Sequence, residues 1–187
     1  AIPDDLEAGA GKRRGIVFVH GLFCNRGFWT PWLLKAREKS LPFMAIDLEP
    51  VTGSIDGYVD CLDDAIRRMA HATGHPPVLV CHSMGGLVAR AWLRSSREAP
   101  TRVARVVTIA SPHAGTWMAR FGHGTNARQM RRQSPWLQRL SETETARQRS
   151  LFVCWHSNTD NIVFPASTAT LPDADNRPVP GLAHVAL

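Results

Sequence analysis

The run Cys81-His82-Ser83-Met84-Gly85-Gly86 holds the side chain best placed to react. It joins an apolar strand-like run, Pro77-Val-Leu-Val-Cys81, to a helical pattern that opens at Met84. A serine on a sharp strand-to-helix turn projects its Oγ from a sheet edge, where a nucleophile must stand. Small residues two positions before and after the serine let strand and helix approach closely. Gly85 meets that need, and Cys81 stands where the G-x-S-x-G pattern has its first glycine. A serine hydroxyl is a poor nucleophile until a base takes its proton. An acid that fixes the tautomer of a histidine base completes the set. The chemistry to expect is acyl transfer through Ser83. Among the other histidines, His82 lies inside the turn and His113 follows a strand end, so both are read as structural support. His20 is read as packed and hydrogen-bonded. His71, His75, His123 and His156 show no spacing to a carboxylate or cysteine that suggests a metal.

These groups need a scaffold, and the pattern supplies one. Gly15–His20, Phe43–Leu48, Pro77–Cys81, Val103–Ala110 and Leu151–Trp155 read as apolar strands, with a last short strand near Arg177–Val179. Helices are expected over Phe28–Lys39, with Pro31 in the first turn, and over Met84–Ser96. The clearest helix has Tyr58, Val59, Leu62, Ala65, Ile66, Met69 and Ala70 at helical spacing, with Gly74 as its stop. The Met84–Ser96 helix would bury Leu87, Val88, Ala91 and Trp92, and turn Arg90 and Arg94 to solvent along with Arg97 just beyond it. Strands alternating with helices predict an α/β fold: a mostly parallel sheet of about six strands, covered on both faces. Residues 1–14 form a polar lead-in, and 15–187 a single domain. Residues 112–150 break the rhythm and read as a lid-like insertion over the reactive edge. There Ser134-Pro135 is expected to start a short helix, and Ser141 with Glu144 to form a capping box.

Taken together, Val19-His20-Gly21-Leu22, His82-Ser83-Met84-Gly85-Gly86 and Ala110-Ser111-Pro112-His113-Ala114-Gly115-Thr116 resemble bacterial lipases and carboxylesterases of the α/β-hydrolase superfamily. Ser157–Val163 and Gly181-Leu182-Ala183-His184 continue the pattern, which spans about residues 15–187 in a small, near-minimal form. The resemblance implies the chain order serine, acid, histidine, and so Asp160 as the acid and His184 as the base. Asp173 and Asp175 are the rivals for the acid. It also implies an oxyanion hole from the backbone N–H groups of Leu22 and Met84, with Phe23 as the alternative donor. Phe23, Trp117, Met118 and Phe121 are the candidates for substrate contact, although apolar residues over 112–137, Trp136 and Leu137 included, equally suit the core. Trp29 and Trp32 are assigned to the core. The implied reaction is hydrolysis of a small-molecule or lipid carboxylic ester, with no cofactor and no metal. An acyltransferase or amidase with the same residues, or a noncatalytic binding module on this fold, are the alternatives.

The 187 residues carry a formal net charge of +6, and the charge is uneven. Residues 1–75 hold 9 Lys/Arg against 10 Asp/Glu, and residues 76–187 hold 13 against 6. Residues 112–150 carry seven arginines against Glu142 and Glu144. A basic surface of this kind suits peripheral contact with anionic lipid or an acidic substrate. No Lys/Arg block interleaved with aromatics points to nucleic acid. Cys24, Cys61, Cys81 and Cys154 match no zinc or redox spacing and are expected as free thiols. No apolar run approaches the ~20 residues of a membrane-spanning helix. The first residue is alanine, so both a cytoplasmic location and, after removal of a signal or anchor, a periplasmic or secreted one fit the sequence. Oligomeric state is not legible in it.

Overall fold

A computed structural model describes residues 2–8, 11 and 13–186. Positions 1, 9, 10 and 12 of the lead-in, and residue 187 of the domain, lie outside the described residues. Six strands form one parallel sheet: β1 (Ile16–Val19), β2 (Phe43–Ile46), β3 (Val78–His82), β4 (Arg105–Ile109), β5 (Phe152–His156) and β6 (Asp175–Pro178). Their order is β2-β1-β3-β4-β5-β6. The inner strands are apolar on both faces because helices cover both, which is why they read as continuous runs without alternation.

The two faces bury separate clusters, and successive residues of each strand alternate between them. Phe18, Phe43, Ala45 and Val80 pack with Trp29, Leu33 and Ala36 under α1 (Thr30–Glu38). Val17, Val19, Met44, Leu79 and Cys81 pack on the other face with α2 (Val59–Thr73) and α3 (Met84–Ser95). Full burial of each large apolar side chain contributes about 1.5–3 kcal/mol, so α2, with Leu62, Ile66 and Met69 all buried, is anchored by its inner stripe. Gly74 ends α2 in a left-handed conformation (φ 70°), and its N–H bonds Ala70 O.

Several local expectations are corrected. The helix expected over Phe28–Lys39 is a 3-10 turn, Arg26–Trp29, capped by Asn25, followed by α1. Pro31 lies in the first turn of α1, where its missing N–H costs nothing. Trp29, Leu33 and Ala36 face inward at helical spacing, which leaves Trp32 45% exposed and not in the core. The 112–150 stretch forms a 3-10 turn at Trp117–Phe121, then α4 (Thr125–Gln129), α5 (Pro135–Thr143) and α6 (Ala146–Arg149). Ser134 caps α5 by accepting from Leu137 N. Ser141 lies inside α5, so the capping box is Thr145 with Gln148 at the start of α6. Among the described residues, no helix is long and apolar enough to cross a membrane.

Candidate active site

A parallel sheet gathers the C-terminal ends of its strands on one edge, and the loops beyond them form the site. Beyond β3 stands Ser83, with φ 51° and ψ −123°. A non-glycine residue rarely adopts this positive φ, and such strain persists only where surrounding structure enforces it. Ser83 N–H donates to Ile109 O at 2.9 Å, tying the turn to β4. A Cβ at Gly85 would come within 2.6 Å of Val19 O, so α3 can start here only with glycine at that position. Cys81, the departure from the usual pattern, fits fully buried in the core. Burial pushes its thiol up well beyond the ordinary range, so it stands as an inert apolar group.

The loop after β1 packs onto the same turn. A Cβ on Gly21 would meet Ser83 Cβ at 2.8 Å, so the absent side chain sets how closely this loop approaches the serine. His20 fastens it: Leu48 N–H donates to His20 Nε2 at 3.0 Å, leaving Nδ1–H to donate to Gly21 O at 2.8 Å. Among the described residues, the N–H groups of Leu22, Phe23 and Met84 donate no hydrogen bond within the chain.

Asp160 follows β5, and His184 follows β6. His184 Nδ1 lies 2.9 and 3.1 Å from the two Asp160 oxygens. Both side chains are buried. Burial opposes ionisation of Asp160. The bond to His184 and the N–H groups of Ile162 and Val163, each 2.8 Å from Oδ1, outweigh it and hold the carboxyl below its ordinary value. The rival acids are engaged at the surface: Asp173 with Arg149 and Asp175 with Arg177. The backbone carrying His184 is held at several points. Its N–H donates to Asn161 Oδ1, Thr159 Oγ1 donates to Leu182 O, and Leu182 N–H donates to Ser157 Oγ.

Ser83 and His184 line one groove of about 430 Å³, walled by Leu22, Phe23, Met118, Phe121, Met130 and Ile162. Of the four residues proposed for substrate contact, Phe23, Met118 and Phe121 are therefore in this wall. Trp117 is not: it stacks edge-on against Phe121 at 5.1 Å and lines the adjoining depression with Met118, Asp160, Asn161 and Phe164. Trp136 and Leu137 are buried in the core, with the Trp136 N–H bonded to Asp56 at 2.7 Å.

Two buried residues stand behind the site: His82, in keeping with its reading as structural support, and Arg90, against its reading as solvated. His82 stacks on Phe28 at 4.4 Å, and its Nε2 lies 3.1 Å from His184 O. Arg90, expected on a solvated face, is 1% exposed; it bonds both oxygens of Glu144 at 2.7 Å and His113 O at 2.6 Å. The signal for Arg90 is weak, because its partner lies 54 residues away in the irregular segment.

A sheet of this topology, with a strained serine and a histidine–carboxylate pair at its carboxyl edge, defines the class of hydrolases built on an α/β scaffold. The chain belongs to the alpha/beta hydrolase family, whose sequence profile matches residues 16–185. No curated protein matches it. Among solved structures it is similar to the mature lipase BlEst2 of Bacillus licheniformis, at TM-score 0.79 and 19% identity over 93% of this chain and 86% of that one. It is also similar to lipase B of Aspergillus fumigatus, at 0.80 and 15% identity over 95% of this chain and 47% of that one. A thermophilic esterase of Thermogutta terrifontis matches at 0.62 and 17% identity, over 94% of this chain and 84% of that one. At these identities the likeness is one of fold.

Proposed function

We propose that the protein hydrolyses carboxylic esters through an acyl-enzyme on Ser83. Ser83 Oγ attacks the acyl carbon while His184 takes its proton at Nε2. Asp160 holds the Nδ1–H and stabilises the imidazolium that forms. The N–H groups of Leu22 and Met84 receive the oxyanion. His184 returns the proton to the leaving alcohol, and a water molecule repeats the sequence to release the acid. The observation that carries this reading is that His184, bonded to Asp160, lines the same groove as Ser83. With Nδ1 committed to the carboxylate, Nε2 is the nitrogen left for the serine. The apolar groove wall suits the acyl part of a small-molecule or lipid ester, and the lipases and the esterase of similar fold agree with that chemistry.

A fluorophosphonate probe should label Ser83 stoichiometrically, and Ser83→Ala should lose labelling and p-nitrophenyl ester hydrolysis together. Asp160→Asn should lower turnover by about 10⁴, the cost of the orienting carboxylate in serine hydrolysis. Asp175→Asn should leave turnover unchanged. Label on another serine, or an active Asp160→Asn enzyme beside a dead Asp175→Asn enzyme, refutes the assignment. Product analysis with added alcohol or amine distinguishes hydrolysis from acyl transfer.

A further inference from the structure

The loop after β4 has the ester groove on one side. On the other is a cleft of about 390 Å³ lined by Thr116, Trp117, Arg120, Arg131, Arg132 and Gln133. Among the described residues, none of these three arginines has a carboxylate partner, and the cleft gathers all three of their charges in one place. Like charges gathered in one place raise the free energy of the compact state. Among the described residues, no carboxylate in this segment neutralises the three charges, and an anion in the cleft would.

Two of the three cations, Arg131 and Arg120, are held in place, and what holds them includes residues of the groove. Arg131 Nε and Nη2 donate to Ala119 O at 3.4 Å and Gly122 O at 3.1 Å, and both of those residues line the groove. The Arg120 guanidinium lies 4.9 Å from the Trp117 ring and 5.4 Å from the ring of Phe121, a groove residue. Thr116 borders both cavities; its N–H donates to Met130 O at 2.9 Å, and it pairs with Arg131 in an isolated parallel bridge. Asp160, across Trp117 in the third depression, is taken by His184 and does not neutralise the cluster. Groove and cleft are thus two sides of one wall, apolar on the side of Ser83 and cationic on the other.

We propose that this cleft is an anion subsite, and that the substrate is an ester carrying a phosphate or carboxylate group beside its acyl chain. The inference rests on the ester-hydrolase reading and adds the substrate class to it. The acyl chain occupies the groove, and the anionic group reaches past Thr116, which lines both cavities, to meet Arg120, Arg131 and Arg132. The planar guanidinium fork matches the paired oxygens of either anion, and Arg131, already fixed by carbonyls, needs little further ordering to bind one.

The test compares 1-decanoylglycerol 3-phosphate with 1-decanoylglycerol, both as monomers. The phosphate ester should show a kcat/KM about tenfold higher at low salt. That preference should vanish between about 0.01 M and 1 M salt, as the screening length falls from roughly 30 to 3 Å. Arg132→Glu should abolish the preference while hydrolysis of the neutral ester is retained, which also reports that the fold is intact. Arg132→Gln, measured in parallel, carries the test if charge reversal lowers the folded yield. Equal kcat/KM for the two esters, with Ser83 still required, overturns the anion subsite alone. A preference that survives both variants, or that exists only when the esters are presented in anionic vesicles, overturns it as well. If neither ester is cleaved and Ser83 takes no label, the ester-hydrolase reading falls and this inference with it.

Discussion

His82 shows how one side chain can govern another across the fold. Its Nε2 lies 3.1 Å from the carbonyl of His184, with the two rings 4.8 Å apart. Nε2 must carry the proton in order to donate to that carbonyl, so the buried Nδ1 is left without a partner. Burial, opposed in part by the bond to His184 O, pushes the His82 imidazole down to about 4 from an ordinary 6.5. Between those values the unfolded chain binds a proton at His82 and the folded chain does not. The stability that this group contributes is therefore full above pH 6.5 and is lost as the pH drops towards 4, by roughly 3 kcal/mol. His113, which burial and then Arg90 also hold well below its ordinary value, adds a loss in the same direction. Asp160, whose pKa is lowered, adds a further loss below the ordinary carboxylate range. Urea midpoints measured across this window should show the acid limb flattened in His82→Gln. An amide N–H can still reach His184 O, so that variant should keep most of kcat. His82→Phe preserves the stack but not the donor, and should lower kcat by about tenfold or more with little change in KM. Equal kcat for the two variants would show that the bond does not position His184. Ser83 was singled out by its strand-to-helix turn, and Asp160 and His184, which the resemblance implied, are brought together by the fold. The bond that His82 makes was not legible, because its partner stands 102 residues away and only tertiary packing brings the two together.

Among the elements, α3 does the most to organise the site, since every residue from Met84 to Leu93 is buried. Its periodicity revealed a helix with Leu87, Val88, Ala91 and Trp92 on one face, and suggested solvent on the other. The outer face instead meets α5 and the loop after β4 through Arg90. That arginine holds Glu144 and His113 O, and so fixes the irregular segment to the helix that begins at the serine. Removing one partner of a buried pair strands the other charge, so Arg90→Ala should cost about 3–5 kcal/mol in urea unfolding. Replacing both, as Arg90→Met with Glu144→Leu, should recover much of the loss. If the double variant is as unstable as the single one, the hydrogen bond to His113 O is the larger contribution. The strands and α2 were legible because burial imposes a period on apolar residues. The short turns and α4 to α6 were less so, because side-chain caps and one-turn segments leave almost no period to read. Thr145 with Gln148 and Ser141 with Glu144 have the same spacing, but Ser141 lies within α5, and both it and Glu144 are bonded by Arg90.

For the whole molecule, a single sheet edge carries Ser83, Asp160 and His184 together with the apolar groove, so on the proposed reaction chain length and catalysis are coupled there. Each methylene buried along that wall is worth about 0.8 kcal/mol. kcat/KM for p-nitrophenyl esters should therefore rise from acetyl to hexanoyl or octanoyl, then fall as the groove ends. Phe121→Ala should flatten the rise and spare acetyl ester hydrolysis. Trp117→Ala, outside the groove wall, should have the smaller effect. A profile highest for acetyl esters would remove the groove from acyl recognition. The sheet order has one further outcome, which concerns time. Ser83 lies at the centre of the sheet beside β1 and β4, whereas Asp160 and His184 follow β5 and β6. A ribosome adding about 5–20 residues per second spends roughly 5–20 s on the 102 residues from His82 to His184. On the proposed mechanism the nascent chain carries its serine through that interval without the base that would arm it, so vectorial synthesis would keep the nucleophile dormant until His184 is in place.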